Sequence, residues 1–166
     1  ELFDDVVPGS YTAFRESGLR ETPRSDRPHH RYYGELDLPP DQHRDAFSVR
    51  GAVELMRRYA AEGRPWLIQC EFDGPHYPAL IPREYARLYD PADVIRPANF
   101  DDPFENKQAV HARAKRMQLN EPFNQTWREF IAHYWGYVSM IDAFTGQILE
   151  ELDRLGMRDD TLVIYT

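Results

Sequence analysis

Two short apolar runs, Trp66-Leu-Ile-Gln-Cys-Glu-Phe72 and Thr161-Leu-Val-Ile-Tyr-Thr166, are separated by residues 73–160, which include a long amphipathic pattern. Runs of this length, bounded by turn-forming residues, read as strands. A tight hairpin cannot join strands so far apart, whereas a helical crossover can, and its helix then covers a face of the sheet. The order predicts an α/β fold with a mostly parallel central sheet flanked by helices. Trp66–Phe72 is mostly apolar on both parities, as expected of a strand covered on both faces.

The remaining elements follow from periodicity and punctuation. Asp45 is placed to cap a helix over 46–61, where Ala46, Val49, Ala52, Val53, Met56 and Ala60 recur at three- and four-residue steps before Gly63 stops it. Pro82 suits the first position of a short helix near 83–89. A polar helix is expected near 107–119, and Thr126-Trp-Arg-Glu129 has the pattern of a capping box. The helix that follows should bury Trp127, Phe130, Ile131, Tyr134, Val138, Ile141, Ile148, Leu149, Leu152 and Leu155. Gly136 and Gly146 should weaken or bend it, and Gly156 should end it. Residues 1–45, punctuated by Pro8, Pro23, Pro28, Pro39 and Pro40, show no steady period and read as an irregular segment ahead of a unit over 46–166.

Composition removes several classes of function. With 28 acidic and 20 basic residues the net charge is −8, which argues against a nucleic-acid partner. No stretch reads as a membrane span or a signal peptide, and the compartment stays open. A single cysteine, Cys70, excludes an internal disulfide and a cysteine-built zinc site. The chain opens on Glu1 and closes on the last residue of an apolar run, which predicts an internal piece of a longer protein. A natural C-terminus on a short edge strand is the alternative.

His76 is the foremost candidate for chemistry. It lies between Pro75 and Pro78, which restrict the backbone on both sides, in the loop after the first expected strand. Ligands of parallel sheets bind beyond the carboxyl ends of strands. An imidazole held there can donate to an anionic ester or protonate its leaving group. A histidine that merely ties down the loop fits the same spacing. The other groups read as structural: His29-His30 with Tyr32-Tyr33 as a solvated loop, His111 and His133 as surface and interface residues, and Asp4-Asp5 as surface charge. Asn124-Gln-Thr126 satisfies a glycosylation sequon but reads as a helix cap.

Phe72-Asp-Gly-Pro-His-Tyr-Pro78 resembles the F-x-G-P-H-x-P segment of the sulfatases, in the alkaline-phosphatase-like superfamily. Tyr134-Trp-Gly-Tyr-Val-Ser-Met-Ile-Asp142, Gly146-Gln-Ile-Leu-Glu-Glu-Leu152 and Asp160-Thr-Leu-Val-Ile-Tyr-Thr166 resemble the same family's pattern of a helix running into "D-x-T-L-V-I-x-T". Pro82-Arg-Glu-Tyr85 and Tyr89-Asp-Pro91 also match it. The resemblance covers about 46–166, with 1–45 and about 100–125 looking variable.

That resemblance implies a sulfuric ester hydrolase with a formylglycine nucleophile and a divalent cation, usually calcium. The formylglycine arises in a C/S-x-P-x-R motif, which these residues lack. Cys70 is followed by Glu71-Phe72-Asp73, so it is expected to be a small core residue. The nucleophile and the metal ligands are thus expected in the remainder of the parent chain, no metal ligand is assigned here, and the piece alone should be inactive. What transfers is His76, as a sulfate-contacting residue and acid toward the leaving oxygen, with its neighbour Tyr77 as a substrate contact. Asp142 matches a family position and is expected to form a structural hydrogen bond. The expected partner is a small-molecule or glycan sulfate ester. A phosphonate monoester hydrolase or phosphodiesterase of the same superfamily, or an inactive sulfatase-like binding module, are the competing readings.

Overall fold

The computed structural model describes residues 33–76, 79–118 and 124–166. Strand β1 (Tyr33–Leu36) runs parallel to β2 (Ala79–Pro82), with Tyr33 opposite Ala79 and Leu36 opposite Pro82. Parallel strands need a crossover, and helix α1 (Arg44–Glu62) lies in the one joining them. The α/β architecture is present, as an incomplete core.

The ladder is not made by the runs the sequence pointed to. Residues 66–72 and 161–166 lie outside any ladder among the described residues. Trp66, Ile68, Cys70 and Phe72 are half-buried while Leu67, Gln69 and Glu71 are exposed, so one face is covered rather than two. In the second run Leu162 is 85% exposed and Ile164 74%. Strand propensity describes a segment's own dihedrals and side chains; a ladder also needs a neighbouring backbone to satisfy its N–H and C=O groups. The strand β1, by contrast, falls inside the segment read as irregular, because four residues containing Gly34 are too short to show a period.

Helix α1 agrees with the expected helix and ends at Gly63, whose φ of 64° is left-handed. Its cap differs. His43 Nδ1 accepts from the Asp45 N–H at 3.2 Å, so Asp45 is a first-turn residue with its carboxylate turned elsewhere. Helix α2 (Arg83–Ala86) is shorter than expected, and Pro82 precedes it rather than starting it. Helix α3 (Ala109–Gln118) lies within the expected range.

Helix α4 (Gln125–Arg154) is continuous through Gly136 and Gly146. Asn124, not Thr126, caps it, accepting from the Trp127 N–H at 3.2 Å. Glu129 makes no capping box; it accepts from the Tyr33 hydroxyl at 2.8 Å. The closing turn pairs Gly156 N–H with Asp153 C=O and Met157 N–H with Leu152 C=O, both at 3.0 Å. The buried stripe runs through Ala132, Gly136, Tyr137, Met140, Ile141, Phe144 and Leu152, whereas Tyr134 and Val138 are exposed. Apolar residues surround much of this helix, so period alone does not rank its faces. Gly136 marks the inner face, because a Cβ there would stand 2.2 Å from the Tyr85 carbonyl oxygen.

Ala46, Val49, Ala79, Ile81, Ala86, Tyr137, Met140, Ile141 and Phe144 form the core between α1, α4 and the ladder. Burying each large side chain there contributes about 1.5–3 kcal/mol. Arg57 grips Glu151 with two hydrogen bonds, 2.9 and 3.2 Å, tying α1 to α4.

Candidate active site

His76 lies exposed on the turn that links residues 66–72 to β2, its N–H donating to the Asp73 carbonyl at 3.1 Å. The turn rests on buried groups from two helices. Asp45, 2% exposed, accepts from the Asp73 N–H at 2.8 Å and the Gly74 N–H at 3.3 Å. Tyr137 of α4 donates its hydroxyl to the same carboxylate at 2.9 Å. Arg44 forms an ion pair with the Asp73 carboxylate. The Gly74-Pro75 bond is cis. A side chain at Gly74 has no room, since a Cβ would lie 2.2 Å from Tyr137 Cε2.

Electrostatics follow from burial. Desolvation lowers the pKa of His43 below 6.5, against the pull of Asp45 and the Leu80 carbonyl, with Arg44 lowering it further. The ring is therefore neutral at pH 7: Nδ1 accepts from the Asp45 N–H, and Nε2–H donates to the Leu80 carbonyl at 3.1 Å. Burial, then the Asp45 charge, raises the pKa of the Tyr137 phenol, so it stays a donor. Burial, with Asp45 and Glu71 assisting, pushes the half-buried Cys70 thiol up to about 11. A thiol of that basicity is a poor nucleophile at neutral pH.

The other residues singled out by sequence lie apart from this turn or beyond the described residues. Tyr77, Asp4, Asp5, His29, His30 and Tyr32 lie outside the described residues. Tyr33 is in β1 and packs on His133, ring centroids 4.8 Å apart, while His133 Nδ1 lies 2.8 Å from the Glu129 carbonyl. His111 is exposed on α3. Asp142 is exposed on α4 rather than buried in a structural network. Sequence reasoning missed His43 and Tyr137, and read Asp45 only as a cap. The available signal was a polar His43-Arg44-Asp45 triplet directly ahead of an apolar stripe.

Beyond the carboxyl ends of β1 and β2, away from His76, lies a cavity of about 470 Å³ lined by Leu36, Asp37, Leu38, Arg83 and Arg87. Its guanidinium groups are paired: Arg87 meets Glu35 twice at 2.9 Å, and Arg83 lies 3.4 Å from Glu35. Among the described residues no three His, Cys, Asp or Glu side chains converge to hold a metal ion, so these residues offer a cation no cage of their own. Among them, too, no helix is long and apolar enough to cross a membrane.

The family model described as Sulfatase matches residues 9–166. Human iduronate 2-sulfatase is 23% identical over 146 residues, covering 79% of this chain and 26% of the relative. Choline-sulfatase of Rhizobium meliloti is 24% identical over 108 residues, 61% of this chain and 20% of the relative. The multifunctional alkaline phosphatase superfamily protein PehA of Trinickia caryophylli is 26% identical over 157 residues, 82% of this chain and 30% of the relative. The chain thus spans about a quarter of the length of the curated relatives it matches.

Proposed function

Because this chain belongs to the sulfatase family, we propose that its parent protein is a sulfuric ester hydrolase and that His76 contacts the ester at the reacting end. The observation that carries this reading is the turn itself: an exposed imidazole on backbone held by a buried carboxylate and a buried phenol. Preorganised donors are most effective where charge develops, because they need no reorganisation at the moment of reaction. The imidazole donates a hydrogen bond to a sulfate oxygen or a proton to the departing oxygen. Tyr77, its neighbour, is the proposed second substrate contact. The formylglycine nucleophile and the divalent cation, calcium in this reading, are supplied by the parent outside these 166 residues. The cation would neutralise the sulfate. The substrate is a small-molecule or glycan sulfate ester.

A second reading, a phosphonate monoester hydrolase or phosphodiesterase, is supported by the likeness to a relative whose name marks it as multifunctional within the superfamily. Assaying the full-length, calcium-supplemented parent on a nitrophenyl sulfate, an alkyl sulfate, a phosphodiester and a phosphonate monoester decides between the two. The sulfatase reading expects the highest kcat/KM on a sulfate. Preference for a phosphorus ester supports the second reading, and a folded parent with no turnover on any of the four or on a panel of sulfated glycans removes the hydrolase assignment.

A further inference from the structure

Two side chains at the start of α1, two residues apart, hold the chain on both sides of His76. Asp45 accepts from the N–H groups of Asp73 and Gly74, three and two residues before it. The His43 Nε2–H donates to the carbonyl of Leu80, four residues after it. Both are almost fully buried, His43 at 1% and Asp45 at 2%. Tyr137, wholly buried behind them, donates to Asp45 and meets the His43 ring edge-on at 5.6 Å. A buried carboxylate that accepts three hydrogen bonds cannot shift without leaving donors unpaired, so it is a stiff anchor. The described turn beside the Asp45 anchor contains the crowded Gly74.

We infer that Asp45, backed by Tyr137, is a positioning residue that sets where the His76 imidazole is held. This rests on the proposal that His76 contacts the ester. Asp45 itself is buried under the turn, and its influence on the reaction runs through the backbone of residues 73–76.

The test uses the full-length, calcium-supplemented parent with nitrophenyl sulfate and an alkyl sulfate, comparing Asp45→Asn, Tyr137→Phe, His76→Ala and each of the first two combined with His76→Ala. Displacing a reacting group by about 1 Å costs about 10²-fold, so Asp45→Asn should lower kcat by about that factor with a smaller change in KM. The loss should be greater on the alkyl ester. Tyr137→Phe keeps the ring in the core and removes one hydrogen bond to a charged group, for a loss of about tenfold. It carries the test if Asp45→Asn does not fold. On the His76→Ala background either change should cost little more, because the group being positioned is gone. Wild-type kcat per folded molecule in both Asp45→Asn and Tyr137→Phe, or losses that multiply with His76→Ala, would overturn the positioning role while leaving His76 in place. Near-wild-type turnover in His76→Ala overturns the assignment of His76 itself, and the positioning role with it.

Discussion

The hydroxyl of Tyr137 donates to Asp45 at 2.9 Å across 92 positions of sequence, and the resulting pair is the floor on which the Asp73–His76 turn lies. Helices α1 and α4 meet at this point. The same contact that closes the core therefore shapes the candidate site, and four consequences can be measured.

If His76 contacts the ester as proposed, His76→Ala in the intact parent removes a donor to the sulfate or its leaving oxygen. Loss of one such donor costs about 10²–10³ in kcat, or roughly 3–4 kcal/mol. An alkyl sulfate should suffer more than a nitrophenyl sulfate, whose good leaving group needs less protonation. A purely structural histidine would instead lower the melting temperature with turnover per folded molecule intact.

Gly74→Ala tests the floor. The new methyl would stand 2.2 Å from Tyr137 Cε2 and 2.9 Å from Asp45 Oδ2, and the fully buried Tyr137 ring has nowhere to go. Overpacking of this kind costs about 1–3 kcal/mol. Thermal unfolding should show a lower Tm, and activity should fall with it as the turn is displaced. An unchanged Tm would mean that Tyr137 does not underlie Gly74.

Cys70 should be chemically quiet. With its thiol pushed up to about 11, only about one molecule in a thousand is thiolate near pH 8, and the thiolate is the reactive form. Iodoacetamide should label Cys70 slowly, as read by peptide mass mapping, and Cys70→Ala should leave turnover unchanged. Loss of activity in Cys70→Ala with the fold intact would restore it as a candidate nucleophile.

His43 makes stability depend on pH. Burial holds its native pKa below 6.5, so between that native value and 6.5 the unfolded chain binds a proton that the folded one does not. Stability is fully present above about pH 6.5 and is lost as the pH falls toward the native value. The groups facing the imidazole are Asp45, Arg44, the Leu80 carbonyl and Tyr137. Tm should decline from about pH 7.5 to about pH 5 more steeply in the wild-type protein than in His43→Gln. Equal slopes would show that His43 titrates alike in both states.

Much of this was legible in the chain itself. The recurrence of Ala46, Val49, Ala52 and Met56 marks α1, Gly63 and Gly156 mark helix ends, and Pro75-His76 within a family-like segment singles out the turn. These signals are local: a helix satisfies its own backbone within four residues, so its residues carry their own evidence. The buried face of α4 was less legible. Tyr134 and Val138 fit an apolar stripe as well as Tyr137 and Met140 do, and packing against Tyr85 and Ile81 selects between them.

What the sequence determined by itself is the class of fold, the helices and the candidate imidazole. What only the tertiary structure decided is which segments pair and what holds the turn. Trp66–Phe72 and Thr161–Thr166 have strand composition yet enter no ladder among the described residues, while Tyr33–Leu36, with a weaker pattern, pairs with Ala79–Pro82. A strand's hydrogen bonds are made with another segment, so its own residues do not name the partner. Asp45 likewise reads as an ordinary helix-capping residue until His43 takes the cap and Tyr137 arrives from the far end of the chain. A buried carboxylate is explained by the donors around it, and those donors are neighbours in space rather than in sequence.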